Sequence, residues 1–206
     1  MSTPIDFYFD FGSPYAYFAA ARIDALAARH GRTVRWRPVL ILALFKATGA
    51  LPAPMVPLRG PYAERDTMRT AQLNGIVYRQ PPNFPQLLLA PPRAALWIEN
   101  EYGADKAATF ARRCFEAYFS EGIDISQDDA IVQLAEALGV DGARLREGLH
   151  SAAIKEQLKT AGEEAIARGV FGVPFMIVDG EPFWGFDRFD QMEQWLTQAA
   201  DTKAAA

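Results

Sequence analysis

Ile5-Asp6-Phe7-Tyr8-Phe9-Asp10-Phe11-Gly12-Ser13-Pro14 is the stretch whose reading decides the fold. Its first six residues form an apolar and aromatic run of strand length. Ser13 suits a helix N-cap, because its hydroxyl can accept from a free amide of the first turn, and Pro14 suits the first helical position. A helix is therefore predicted over 15–30, ended by Gly31. Thr33-Val34-Arg35-Trp36-Arg37-Pro38-Val39 then reads as a second strand, with Val34, Trp36 and Pro38 alternating against Arg35 and Arg37. A crossover of about 20 residues between two such strands predicts that they run parallel.

The strand signal returns only near the other end of the chain. Val170-Phe171-Gly172-Val173-Pro174-Phe175-Met176-Ile177-Val178 is followed by Asp179-Gly180, a strong two-residue hairpin signal. Glu181-Pro182-Phe183-Trp184 is the return strand, and 187–198 carries Phe189, Met192, Trp195 and Leu196 on a final amphipathic helix. The tail at 201–206 is expected to fray. Between the two strand regions, nine of the 14 prolines fall within 51–92, which excludes a long uninterrupted helix or a central strand there. Helical patterns occupy 62–74, 93–102, 105–120, 127–138, 141–149 and 152–168. The fourth opens on a capping-box-like Ser126 and Asp129.

The order β-α-β, helical block, β-β-α belongs to the α/β class and matches a thioredoxin fold with a large all-helical insertion. Residues 1–45 and 170–200 are assigned to a discontinuous thioredoxin-fold domain and 46–169 to the insertion. In this fold the first helix begins opposite a loop that carries a cis-proline, so Pro174 is expected in cis. Ser13-Pro14-Tyr15-Ala16 stands where a thiol oxidoreductase carries Cys-x-x-Cys. A helix N-terminus favours an anion, commonly a thiolate. Serine cannot be oxidised there, but its hydroxyl can donate a hydrogen bond to a thiolate supplied from elsewhere.

Composition narrows the remaining choices. With 21 basic and 25 acidic residues the net charge is −4, which argues against a nucleic-acid partner. No apolar run approaches the ~20 residues that span a bilayer, and residues 1–10 lack the features of a secretory signal, so the expected compartment is the cytoplasm. One cysteine, Cys114, and two histidines make neither a disulfide nor a metal cluster, so no metal is expected. Cys114 reads as a buried inert thiol, and His30 and His150 as helix-end residues.

Three motifs in order, Phe7-Tyr8-Phe9-Asp10-Phe11-x-Ser13-Pro14, Phe171-Gly172-Val173-Pro174 and Trp184-Gly185-x-Asp187-Arg188, make the chain resemble 2-hydroxychromene-2-carboxylate isomerases. These are relatives of kappa-class glutathione transferases and of disulfide-bond oxidoreductases with a helical insertion. The resemblance covers nearly the whole chain. It implies that glutathione is the cofactor, that Ser13 is catalytic and holds its sulfur, and that the Val173 backbone before Pro174 pairs with the tripeptide like an added strand. Trp184, Gly185, Phe186 and Asp187 would hold the γ-glutamyl end. Lys46 would face the substrate carboxylate, with Asn83 and Phe84 in the same pocket. Two departures are visible. Position 186 is Phe where relatives often carry a polar residue, and 51–58 contains no asparagine where some relatives use one.

The activity implied is a glutathione-dependent isomerisation of 2-hydroxychromene-2-carboxylate, or a related aromatic-degradation intermediate, to the trans-benzylidenepyruvate form through a glutathione thiolate adduct. The implied partner is a small aromatic substrate with a carboxylate, and the implied assembly a homodimer. A kappa-like transferase is the alternative enzyme. A thioredoxin-fold binding protein without redox cysteines is the alternative outside catalysis.

Overall fold

The computed structural model describes residues 3–204. Strand β1 (Ile5–Phe9) is buried throughout and lies between β2 (Val34–Pro38) and β3 (Phe175–Val178). It runs parallel to β2, with Phe7 opposite Trp36, and antiparallel to β3, with Phe7 opposite Met176. β4 (Glu181–Trp184) closes the order β2-β1-β3-β4. Asp179 and Gly180 have φ of 52° and 95°, the two positive values that a two-residue type I′ hairpin requires. The sheet and its connections are those of the thioredoxin fold expected from the sequence.

The predicted helix at 15–30 is two helices, α1 (Pro14–Ala20) and α2 (Ile23–Arg29), re-aimed at Arg22. The break has a packing reason. Six of the seven α1 residues are buried, whereas α2 buries only Ile23, Leu26 and Ala27. Strand β3 is also shorter than predicted, because Pro174 has no N–H to give the ladder and residues 170–174 remain a loop. The Val173–Pro174 bond is cis, as expected, and so is Phe84–Pro85, which the sequence reading did not anticipate.

After β2 comes a helix that was not predicted, α3 (Ile41–Thr48), ended by Gly49 in the left-handed region. The helical block is α4 (Arg59–Leu73), α5 (Ala90–Tyr102), α6 (Ala104–Glu116) with a following turn of π-helix, α7 (Asp128–Glu136), α8 (Gly142–Leu149) and α9 (Ala152–Ala167). Ser126 does not cap α7. Its N–H and O–H both donate to Asp124 Oδ1, at 3.0 and 2.7 Å, and Gln127 takes the cap position without a side-chain bond. His30 and His150 sit at the C-terminal ends of α2 and α8, as read. The last helix, α10 (Phe189–Ala204), follows a 3-10 turn, Phe186–Arg188. It therefore runs into the predicted tail, of which residues 205–206 lie outside the described residues.

One aromatic cluster joins the sheet to the helical block. Phe9 meets Trp36, Phe11 and Phe115 at centroid distances of 5.4, 5.2 and 5.7 Å. Cys114, beside Phe115, is fully buried. This packing holds the β1–α1 turn, and with it Ser13, against a fixed base.

Candidate functional site

The turn after β1 is tied down by a buried carboxylate. Asp10 Oδ1 accepts from Gly12 N–H at 2.7 Å and Oδ2 accepts from Ile41 N–H at 2.8 Å. One side chain thus joins the Ser13 turn to the first turn of α3. Burial pushes the Asp10 carboxyl up to about 6, against the two amide hydrogen bonds that favour its charged form. Asp10 was not among the residues singled out in the sequence. The available signal was an acidic residue at a strand end immediately before Gly-Ser-Pro.

Ser13 caps α1: its Oγ accepts from Ala16 N–H at 3.2 Å, and only 7% of the residue is exposed. Accepting that bond leaves the hydroxyl hydrogen to donate elsewhere. Ser13 lines a cavity of about 550 Å³. One side of this cavity is Asp10, Gly12, Pro14 and Tyr15, with Val173 from the loop before β3. The opposing walls come from α3, from the 3-10 turn Ala53–Met55, from α4, and from residues 78–88. The proline-rich segment therefore supplies walls. Val173 has no backbone hydrogen-bond partner among the described residues, so its N–H and C=O are available to an extended ligand.

The expected glutathione residues divide into four groups. Ser13 and Val173 line the cavity. Pro174, Trp184 and Gly185 do not, but the last two touch the 172–174 loop: Gly185 N–H donates to Pro174 O at 2.9 Å, and the Trp184 indole lies so close to Gly172 that a Cβ there would meet Nε1 at 2.7 Å. Phe186 points elsewhere. It is buried against Phe18 and Phe189, at 5.8 and 5.2 Å, with the Arg22 guanidinium over its ring, so its side chain is packed into the core. Asp187 is exposed and paired with its neighbour Arg188 at 3.0 Å.

The expected substrate residues also separate. Phe84 lines the cavity, half-buried, beside Pro85 and Gln86. Asn83 is exposed and absent from the lining. Lys46 is exposed as well, while Ile41, Leu42 and Phe45 of the same helix face the cavity. Successive helix residues are about 100° apart, so turning Phe45 inward directs Lys46 away. The sequence reading missed the polar residues Tyr15, Glu64, Thr67 and Tyr78 on the walls. Tyr15 donates to Asp66, and Thr67 Oγ1 donates to Ala63 O at 2.7 Å. Tyr78 O–H has no partner among the described residues.

A larger cavity, about 770 Å³, lies between α2, β2 and α6 and shares no lining residue with the first. Seven of its nineteen lining residues are alanine, and its arginines are engaged: Arg112 with Asp24 at 2.5 Å and over Trp36, Arg32 with Asp179. Size alone does not make it the reactive site. The convergent polar groups are at Ser13.

Comparison with known proteins agrees with this geometry. A family model described as a DSBA-like thioredoxin domain matches residues 4–197. A 2-hydroxychromene-2-carboxylate isomerase of Sphingobium xenophagum is 32% identical, over 95% of this chain and 99% of that protein. Glutathione S-transferase kappa 1 of Caenorhabditis elegans is 28% identical over 94% and 91% of the two chains. A solved 2-hydroxychromene-2-carboxylate isomerase superposes with a TM-score of 0.89 at 29% identity, covering 98% of each chain. With Ser-Pro in place of a cysteine pair and the cis-proline loop across the same cavity, the chain belongs to the DSBA-like thioredoxin-domain family, in the group of the 2-hydroxychromene-2-carboxylate isomerases.

Proposed function

We propose that this protein is a glutathione-dependent isomerase acting on a small compound derived from an aromatic ring. The observation that carries the reading is the pairing of the Ser13 hydroxyl and the unpartnered Val173 backbone on one cavity. The donor set fits the tripeptide. Val173 offers a strand-like N–H and C=O, Ser13 offers one hydroxyl donor to a sulfur, and the cavity volume is within the roughly 300–1,000 Å³ usual for small-ligand sites.

Bound glutathione would supply a thiolate nucleophile, which this chain lacks, because its own Cys114 is buried and pushed far above the ordinary thiol range. Ser13 donates to the sulfur and favours its ionised form. Free thiols have a pKa of about 8.5, and lowering that by two units needs roughly 2.7 kcal/mol of preferential stabilisation, within the range of a charge-assisted hydrogen bond. Asp10 holds the Ser13 turn at its spacing from α3. The apolar walls from α3 and 78–88 lower the local dielectric beside the sulfur, which strengthens each of these interactions. Trp184, Gly185 and Asp187 are the residues assigned to the γ-glutamyl end, with Phe186 contributing at most its backbone.

Titrating glutathione into the protein while following ultraviolet thiolate absorbance tests the reading. Saturable absorbance at neutral pH, lost in Ser13→Ala, is the expected result. No thiolate signal at saturating glutathione would overturn it. A kappa-like transferase shares every element up to the fate of the sulfur, and the kappa-class similarity favours keeping it as the second reading. Turnover without net consumption of glutathione separates the isomerase from the transferase.

A further inference from the structure

A site that favours a thiolate must also place the proton that the thiol brings with it. A free thiol, with a pKa of about 8.5, arrives protonated at neutral pH. Few groups on the Ser13 cavity can accept that proton. Among its described lining residues none is Lys, Arg or His, and burial pushes the Tyr15 and Tyr78 phenols above their ordinary range, so they keep their own protons. Two carboxylates remain: Asp10, buried at the Ser13 turn, and Glu64, exposed on α4. We propose that Asp10 takes up the proton of the bound thiol, so that its carboxyl and the sulfur share one negative charge. The proposal deepens the glutathione reading and rests on it.

The geometry leaves room for that proton. Each Asp10 oxygen accepts one amide hydrogen, from Gly12 at 2.7 Å and from Ile41 at 2.8 Å, and each keeps a second lone pair. Position 12 carries no side chain: a Cβ there would lie 3.1 Å from Oδ1, so glycine leaves that oxygen uncovered. No cation pairs with Asp10 among the described residues. The turn after α6 faces it with the Tyr118 phenol, itself pushed up to about 12, and α3 lines the cavity with Ile41, Leu42 and Phe45 while Lys46 is exposed. This dry carboxyl already holds its proton up to about pH 6. A thiolate in the same cavity raises that further, because like charges in one low-dielectric site oppose each other. The S–H bond breaks with its electron pair left on sulfur, and an O–H bond forms on Asp10. The cavity gains no charge, and release of the ligand reverses both changes.

Calorimetric titration of glutathione at pH 7, repeated in buffers of different ionisation enthalpy, counts the protons released. The parent and Glu64→Gln are expected to release less than about half a proton per glutathione, and Asp10→Asn about one. Near pH 7 the affinity should accordingly rise less than about threefold per pH unit in the parent and about tenfold in Asp10→Asn. Infrared difference spectra of the parent decide the question alone if Asp10→Asn does not fold: glutathione should bring up the C=O stretch of a protonated carboxylic acid. Absence of that band, release of a full proton by the parent, or full release from Glu64→Gln alone overturns the proposal. Failure of the glutathione reading looks different, since no thiolate absorbance then appears in the parent or in either variant.

Discussion

The two sides of the cavity are built on different principles. On the Ser13 side the functional groups are a capping hydroxyl, a buried carboxylate and a backbone segment, each placed by the sheet and by α1. On the opposite side, α3, the 3-10 turn Ala53–Met55, α4 and residues 78–88 present apolar side chains, several of them substantially exposed: Leu42 45%, Met55 65% and Leu87 51%. The first side is over-determined by the core beneath it. The second is shaped in part by exposed side chains, Leu42, Met55 and Leu87 among them, that can change without disturbing that core. Chemistry common to a family belongs on the first side, and substrate choice belongs on the second.

Ser13→Ala tests that division most severely. It should cost at most about 1 kcal/mol of stability as a lost cap, yet lower kcat/KM by roughly 10²–10³-fold, the usual effect of removing one donor to an anion. Steady-state kinetics beside a denaturation curve measure both. Retained kcat/KM would move the chemistry away from this side.

Asp10 gives the next largest effect. Its carboxyl rises from 3.8 to about 6 in the folded protein, so the native state holds the proton more tightly than the unfolded chain does. Its contribution to stability is therefore full below about pH 4 and is lost as pH rises through the window up to about 6, to a total of roughly 3 kcal/mol. Asp6, Asp124 and Glu193 have lowered values and act in the opposite sense. The difference between the stability curves of the parent and Asp10→Asn isolates the term. A difference that stays flat from pH 4 to 7 would mean that this carboxylate is not as dry as its surroundings indicate.

On the apolar side, Phe84→Ala should raise KM for the electrophile roughly tenfold, as expected for losing a half-buried ring worth about 1.5 kcal/mol, and leave glutathione affinity unchanged. A parallel loss of glutathione affinity would blur the two-sided picture. Asp187→Ala should weaken glutathione less than about fivefold, because a carboxylate this exposed forms only a surface ion pair. Calorimetry reads it, and a loss beyond tenfold would bring Asp187 into the ligand site proper. Cys114 carries the smallest effect. The native thiol should resist a disulfide reagent until the chain unfolds, and modification of the folded protein at the unfolded rate would contradict its burial.

Much of the Ser13 side was legible in the chain. Ser13-Pro14 is a local signal, since a cap and a first-turn proline depend on adjacent residues, and the Asp179-Gly180 turn is equally local. The opposite side was legible only as texture. Proline density marked 51–92 as irregular, but not that Phe84 faces inward while Asn83 faces out. Helix α3 escaped notice because Leu40 at its N-cap makes no side-chain bond, and the free Ile41 amide is satisfied instead by Asp10, 31 residues earlier.

The sequence by itself determined the order of the strands, the hairpin, the cap at Ser13 and the family, because each rests on spacing or on neighbours along the chain. Tertiary structure alone decided which residues meet. It made Phe186 part of the core, turned Lys46 to solvent and made Asp10 the link between the Ser13 turn and α3. The reason is that burial and charge environment depend on groups far apart in sequence, and a shared motif specifies none of those distances.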